Sequence, residues 1–367
     1  MAVLTTTLAL NQNEVTAALF NQIISQEVFS KNIAGLKTSL VERLRVDGTL
    51  YGDKKLFVST DTLQVNDWVT TGASSLLTVT NPPAPKLEVV EIAVFKQIAV
   101  TIYPYMLKSA FADEGTYAQF IAVVLSWLGD TKKVYETTLV NAYVGTVITT
   151  ATTNEITVEY PVAAAADNVD AEAVNRLTSM AIGKAIADLS IELSDVSRAY
   201  NENGFLRSYE MSDFIFVWNA TWYNKIRHVD LPTVFHKDGV IDLKGMDELV
   251  LPARYFGNIA AATTTNGPQR ALKPMIVDSV YYNAGDIIPS GKTVAVGSVY
   301  DRSVDIVGKL VHKQAIPFMS AFSVGTSFFD AQKLRENHWL TFGHSSLDYI
   351  RNFPIIKVYA TEVTPAE

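Results

Sequence analysis

The stretch Leu87-Glu-Val-Val-Glu-Ile-Ala-Val-Phe-Lys-Gln-Ile-Ala-Val-Thr-Ile-Tyr103 decides how this chain is read. Its even positions are Val90, Ile92, Val94, Lys96, Ile98, Val100 and Ile102, while the odd ones mix Leu87, Val89, Glu91, Phe95, Gln97, Thr101 and Tyr103. That is the two-residue period of a strand, and at ~3.3 Å per residue it reaches about 55 Å, some three times the common strand. Part of such a strand must lie beyond any one hydrophobic core, so it needs a neighbour. After Pro104 the period changes. Tyr117, Phe120, Val124, Leu128, Tyr135, Leu139 and Ala142 recur at helical steps and predict one face of a helix over Tyr117 to Val144. At 1.5 Å per residue this helix is roughly 40 Å long. Ser109 or Asp113 is placed to cap it, Gly145 to end it in the left-handed conformation, and Gly129 to bend it midway.

Working outward, Asn11 to Leu44 carries Val15, Leu19, Ile23, Val28, Ile33, Leu36, Leu40 and Leu44 at helical spacing and reads as an amphipathic arm. Between Arg45 and Lys86, Lys54 to Thr60 and Leu76 to Thr80 are strand-like, with Gly72-Ala-Ser-Ser as a turn and Asn81-Pro-Pro-Ala-Pro as a stop. With the outer part of the long strand they form an extended β-hairpin. An isolated two-stranded ribbon is marginal in water, so it must lie on another surface.

Gly145 to Ala166 crosses to a second lobe. There Val174, Leu177, Ala181, Leu189 and Leu193 mark a helix capped near Asp167 or Asp170, Phe214 to Trp218 is a buried strand, and Asn219 caps a short helix through Arg227. Lys244 to Leu249 reads as a helix, Met275 to Tyr282 and Lys292 to Val299 as single strands, Asp305 to Phe328 as further strands and Asn352 to Val363 as the last. Without a regular β-α rhythm the fold class is α+β.

With 367 residues, 48% of them hydrophobic, the chain holds one large or two ordinary domains. A net charge of -8 with no basic run argues against a surface that attracts nucleic acid by counterion release. Zero cysteines exclude disulfides, zinc–thiolate sites and thiol nucleophiles. The N-terminus lacks a basic leader and is a poor secretory signal, and no apolar run is long enough to span a membrane.

The motifs with a chemical look fail on detail. Gly285-Asp-Ile-Ile-Pro-Ser-Gly-Lys-Thr293 has five residues between its glycines where a phosphate loop needs four, and it leads into Val294-Ala-Val instead of a helix N-terminus. A strand-connecting turn accounts for it better. Gly343-His344-Ser345-Ser346-Leu347 has Leu where a nucleophile elbow needs its second glycine, which makes His344, Ser345 and Asp348 surface or cap residues instead of a triad. The histidines His228, His236, His312, His338 and His344 show no metal-ligand spacing, and the acids Asp247, Glu248, Asp301 and Asp305 read as solvated. Phe214 to Trp218 with Trp222 and Tyr223, and Phe318 with Phe322, Phe328 and Phe329, lack the interleaved basic residues of a base-stacking surface and read as core or subunit packing. No catalytic, cofactor or metal residue is assigned.

This order of parts resembles the major capsid proteins of tailed bacteriophages, the Hong Kong 97-like capsid fold also seen in the herpesvirus capsid floor. The matching pieces are an N-terminal arm (1–45), an extended hairpin loop (46–91), and the passage Phe95-Lys-Gln-Ile-Ala-Val-Thr-Ile-Tyr-Pro-Tyr-Met-Leu-Lys-Ser-Ala, which looks like the strand leading into the family's spine helix, here 117–144. The resemblance implies a peripheral domain (92–166 and 318–367) and an axial domain (167–317) that meets its copies at capsomer centres. The Phe353-Pro-Ile-Ile-Lys-Val ending and modest length look closest to small podovirus-type phages.

The implied function is structural: hexameric and pentameric capsomers closing into an icosahedral virion shell around double-stranded DNA, bound without sequence specificity. Assembly would take place in the host cytoplasm with scaffolding and portal partners and no membrane. Some members join subunits by a lysine–asparagine isopeptide bond and others carry a cleaved N-terminal segment. No motif assigns Lys54 or Lys55 to such a bond, and no long coiled-coil leader is present. The alternatives are another self-assembling phage or surface-layer protein such as a tail-tube component, against which the long mid-chain helix argues, and a hydrolase using His344 and Ser345.

Overall fold

In a computed structural model the chain is described over residues 33, 35–47, 54–65, 79, 81–105, 114–147, 154–161, 171–229, 245–260 and 267–363. The expected helix over most of the arm, the caps at Ser109, Asp113, Asp167 and Asp170, the turn at 72–75, the strand at 76–80 apart from Val79, and His236 lie outside those residues.

The centre is a five-stranded sheet with an apolar layer on each side. Its order is β4 (Glu155–Pro161), β16 (Ile355–Val363), β13 (Ile306–His312), β5 (Phe214–Asn219), β6 (Asp247–Leu251). Strand β5 reads Phe-Ile-Phe-Val-Trp-Asn without polar alternation because both of its faces are covered. Phe214, Phe216 and Trp218 meet Ile182, Ile186, Leu189 and Leu193 of helix α3 (Ala171–Ser194) and Trp222 and Ile226 of α4 (Ala220–Val229). Ile215 and Val217 point the other way, into a cluster with Leu40 and Leu44 of α1 (Ser39–Leu44) and Val140 and Val144 of the long helix α2 (Glu114–Thr146). Asn219 caps α4 as its sequence predicts: its side-chain oxygen accepts from the Thr221 N–H at 3.1 Å, and its amide donates to Ile306 O at 2.8 Å.

The long strand is β3, Lys86–Ile102, 17 residues that change partners midway. Residues 86–91 pair antiparallel with β2 (Lys54–Ser59), and from Ile92 onward β3 pairs with β15 (Arg335–Ser345). Beyond β15 come β14 (Phe318–Asp330) and, parallel to it, the three-residue β1 (Arg45–Asp47). Val100 and Ile102 pack on Phe120, Ile121 and Val124 of α2, and Ile98 joins Tyr135, Leu139 and Phe342. A smaller sheet of β11 (Ile287–Ile288), β8 (Gln269–Ala271), β12 (Val299–Arg302) and β7 (Gly257–Ile259) stands apart with its own core, beside the pair β9 (Met275–Val277) and β10 (Val280–Tyr282).

Helix α2 has 33 residues, about 50 Å at 1.5 Å each, and runs through Gly129 unbroken. Val124, Tyr135, Leu139 and Ala142 are buried as predicted, whereas Phe120 and Leu128 are only half-buried. Gly145 does not end the helix in a left-handed conformation. It lies inside the last turn, where an added Cβ would stand 2.0 Å from the Tyr255 carbonyl oxygen, so close approach of backbone is what demands glycine there. Just past the helix, the Val147 carbonyl accepts from Lys309 Nζ at 2.6 Å. Lys309 is fully buried, and burial holds its pKa well below the ordinary lysine value; it supplies a donor to a helix C-terminus whose last turn carries no basic side chain.

Other expectations are corrected. Of the helix expected from Lys244 to Leu249, the described part, 245–249, is not helical; Asp247–Leu251 is β6, parallel to β5 and half-buried on the sheet edge. Met275 to Tyr282 is a tight hairpin, not one strand, with Asp278 and Ser279 at φ of 48° and 65°. The strand expected at 292–299 begins only at Val299, and β4 and β15 lie in stretches where no strand was expected. Leu177 faces outward, its place in the α3 core taken by Ile182 and Ile186. The C-terminal strand β16 lies between β13 and β4 in the central sheet.

Candidate assembly surface

The β2–β3 hairpin has one face that docks within the chain and one that does not. On the docked face Phe57 reaches Val90, Ile92, Met319 and Ala321. On the other, cross-strand partners Leu56 with Val89 and Val58 with Leu87 form a continuous apolar stripe. These four are 58%, 49%, 64% and 59% exposed. The stripe continues to Lys54, whose ammonium pairs with Glu91 at 2.7 Å on the same face. A protein rarely leaves adjacent cross-strand aliphatic pairs in water unless another surface covers them.

A second protrusion is the tip of the β14–β15 hairpin, where Phe328, Phe329 and Leu334 are exposed and the turn is held by an Arg335–Asp330 pair at 3.0 Å. Of the two aromatic groups flagged in the sequence, the second therefore divides. Phe214, Phe216, Trp218, Trp222 and Phe318 are core, and Phe328 and Phe329 are surface.

The N-terminal arm is fixed where it enters the body. Arg45, the first residue of β1, sits 3.6 Å from Glu136 of α2, which Lys132 also approaches at 3.8 Å. Glu136 is buried, and burial raises the pKa of its carboxyl against the pull of both cations.

The residues that looked chemical fall into structural roles. His344 and Ser345 are buried, not on the surface as the sequence suggested, and they do not face each other as a nucleophile pair. His344 Nε2 meets the Tyr135 hydroxyl at 3.0 Å and its Nδ1 the Ser345 carbonyl at 2.8 Å, while Ser345 Oγ accepts from Met319 N at 3.0 Å and donates to Pro317 O at 3.4 Å. Asp348 is exposed and accepts from Ser346. Burial lowers the His344 pKa, so its imidazole is a neutral link between α2 and β15.

The 285–293 segment is a turn leading through β11, with Lys292 held by Asp278 at 2.6 Å. Asp247 pairs with Lys313 at 3.0 Å and Arg43 at 3.6 Å, and Asp301 accepts from Gln269 at 3.1 Å. The Asp305 carbonyl accepts from the Ala360 N–H. His312 stacks on Phe353, and His338 lies 3.6 Å from Glu336. Among the described residues no group of three or more His, Asp or Glu is placed to hold a metal ion, and no helix is long and apolar enough to cross a membrane.

Comparison with known proteins agrees with this geometry. The sequence matches the profile of the Phi29-like phage major capsid proteins over residues 2–359. No curated protein matches it. Among solved structures, a chain of the capsid of Staphylococcus phage Andhra is similar at 12% identity, covering 93% of this chain and 86% of that one with a TM-score of 0.57. A chain from the structure of the head fiber and inner core protein gp22 of native bacteriophage P68 is similar at 13% identity over 98% and 100% of the two chains (TM-score 0.56). One from the mature capsid of bacteriophage PhiM1 is similar at 11% identity over 93% and 91% (TM-score 0.51). At these identities the likeness is one of fold.

Proposed function

The chain belongs to the Phi29-like phage major capsid proteins, non-enzymatic structural subunits of the phage head shell, and from that premise we propose how its parts are used in building the shell. The hairpin of β2 and β3 lies over a neighbouring subunit, with Leu56, Val58, Leu87 and Val89 as its contact. The lobe built on the central and smaller sheets is the axial part, converging in hexamers and pentamers. The 1–45 arm crosses to another copy, and α2 with β3, β14 and β15 forms the peripheral part. Scaffolding and portal proteins are the assembly partners, and DNA is enclosed by a net-negative protein without sequence-specific contact.

The observation that carries this reading is the exposed stripe on a ribbon whose opposite face already packs on its own subunit through Phe57 and Val90. A closed shell supplies the missing cover through heterologous contacts between identical subunits, and such contacts close into rings when the rotation permits. Light scattering and negative-stain microscopy of the expressed chain test it. Closed shells or capsomers are expected, and Leu56→Asp with Val58→Asp leaves subunits that do not close. Normal particles from that variant remove the hairpin from the contact.

A further inference from the structure

The hairpin's outer face waits for a neighbour, but its base is fastened inside its own subunit by contacts that span most of the chain. Where β2 ends, the Asp61 carboxylate accepts from the Leu206 N–H at 2.9 Å and pairs with the Arg198 guanidinium at 2.6 Å. The preceding carbonyl, of Thr60, accepts from Arg207 at 2.6 Å. On the returning strand, Glu88 accepts from the Arg351 N–H at 2.8 Å and from the Asn203 amide at 3.2 Å.

Both strands of the ribbon therefore present a carboxylate to the loop between α3 and β5 or to the segment before β16. In each case one acceptor oxygen takes a backbone N–H, which cannot swing away as a side chain can. The two receiving segments are tied together: the Glu202 N–H donates to Arg351 O at 2.9 Å, and Arg207 Nε donates to the Asn352 side chain at 3.2 Å. The Leu206 N–H and then the Arg198 guanidinium hold the Asp61 carboxyl down at about 2, so the charge that makes the attachment persists through any ordinary buffer.

We infer that the loop at 195–210, braced by 349–352, is an internal clamp that fixes the angle at which the hairpin leaves its subunit before any neighbour is met. A two-stranded ribbon joined to the body only through its strands would twist and swing. Anchors on both strands, contributed by a lobe remote in sequence, remove that freedom and present the apolar stripe in one direction. Asp61 and Glu88 are positioning residues: their contacts lie within their own subunit, and they determine where Leu56, Val58, Leu87 and Val89 point. The inference uses the proposed role of the stripe only for its consequence in assembly.

The absence of cysteine makes the test direct. Spin labels on Val65→Cys and Ile191→Cys, both exposed, report the distance between hairpin and lobe in full-length subunits held below the assembly concentration. A single narrow distribution is expected for the parent, and Asp61→Ala with Glu88→Ala about doubles its width, because releasing both carboxylates frees a local motion. Asp61→Asn, which keeps an acceptor for Leu206 but loses the charge facing Arg198, falls between the two. Arg198→Ala, a change at a half-exposed side chain, repeats the Asn result should the double variant fold poorly.

An unchanged distribution in Asp61→Asn or Arg198→Ala with an unchanged melting temperature overturns the clamp. Broadened distributions accompanied by normal shells would uphold the clamp and count instead against the contact proposed for the stripe. Broadening with malformed or heterogeneous particles supports both.

Discussion

Strand β5 and the β2–β3 hairpin are built from the same kinds of residue and come to opposite ends. Every residue of β5 is buried, with Phe214, Phe216 and Trp218 under two helices and Ile215 and Val217 under two others. In the hairpin, Phe57 finds Val90 and Met319, but Leu56 and Val58 find only each other's neighbours and water. One region completes its burial within a single polypeptide; the other stops halfway. The difference separates what the subunit needs in order to fold from what it needs in order to assemble, and mutations in the two places should separate the same way.

The largest expected effect is on the sheet. Phe216→Ala removes a ring packed 4.4 Å from that of Trp218 and costs about 3–5 kcal/mol, read as a lowered melting temperature of unassembled subunits. A loss below 1 kcal/mol would mean that the two-sided core is looser than its burial implies.

Next is His312, at the end of β13, which stacks on Phe353 and meets Phe214 and Tyr209 edge-on. Burial pulls its pKa down to about 4, Asp213 opposing and Lys313 reinforcing the shift. A lowered folded-state value means the unfolded chain takes up the proton first. Stability is then full above about pH 6.5 and falls as the pH drops toward 4, by about 3 kcal/mol in all. Denaturant titrations across that window should show the slope, and His312→Phe should flatten it.

A smaller change is expected from deleting residues 62–85, beyond the Asp61 anchor. The melting temperature of the subunit should move by a few degrees at most, since the central sheet is untouched, while shell formation seen by microscopy is lost. The smallest effect on the fold belongs to Leu56→Asp, within about 0.5 kcal/mol, because the residue is exposed before assembly. If it destabilises the isolated subunit by several kcal/mol, the contrast drawn here between the two regions fails.

The strand–helix pair at the heart of the molecule was legible because each half obeys one period over many residues: β3 is displaced by a single residue at each end from its expectation, and α2 begins only three residues early. Strand β15 was not, because Arg-Glu-Asn-His-Trp opens with polar side chains that remain half-exposed, and its pairing to β3 is specified some 240 positions away. The β9–β10 turn was missed because Asp278 and Ser279 adopt the left-handed region that a sequence reader assigns to glycine. β6 deceived because a short edge strand beside a buried one needs only three apolar residues. Of the assembly surface, the alternation of Leu56 and Val58 was visible as strand, but which face stays open depends on Phe57 meeting Met319. The anchors Arg198, Leu206 and Arg207 carry no local signal, since their partners lie about 140 residues upstream.

Because β3 trades β2 for β15 without a break, it works as a lever running from the stripe at Leu87 to the flank of α2 at Ile102. Force applied by a neighbour at the far end is shared first with the Glu88 anchor and with the bulge opposite Ser345, and the remainder reaches Phe120 and Val124 with no loop in between. In a shell of such subunits, the outer stripe and the flank of the long helix belong to one continuous strand.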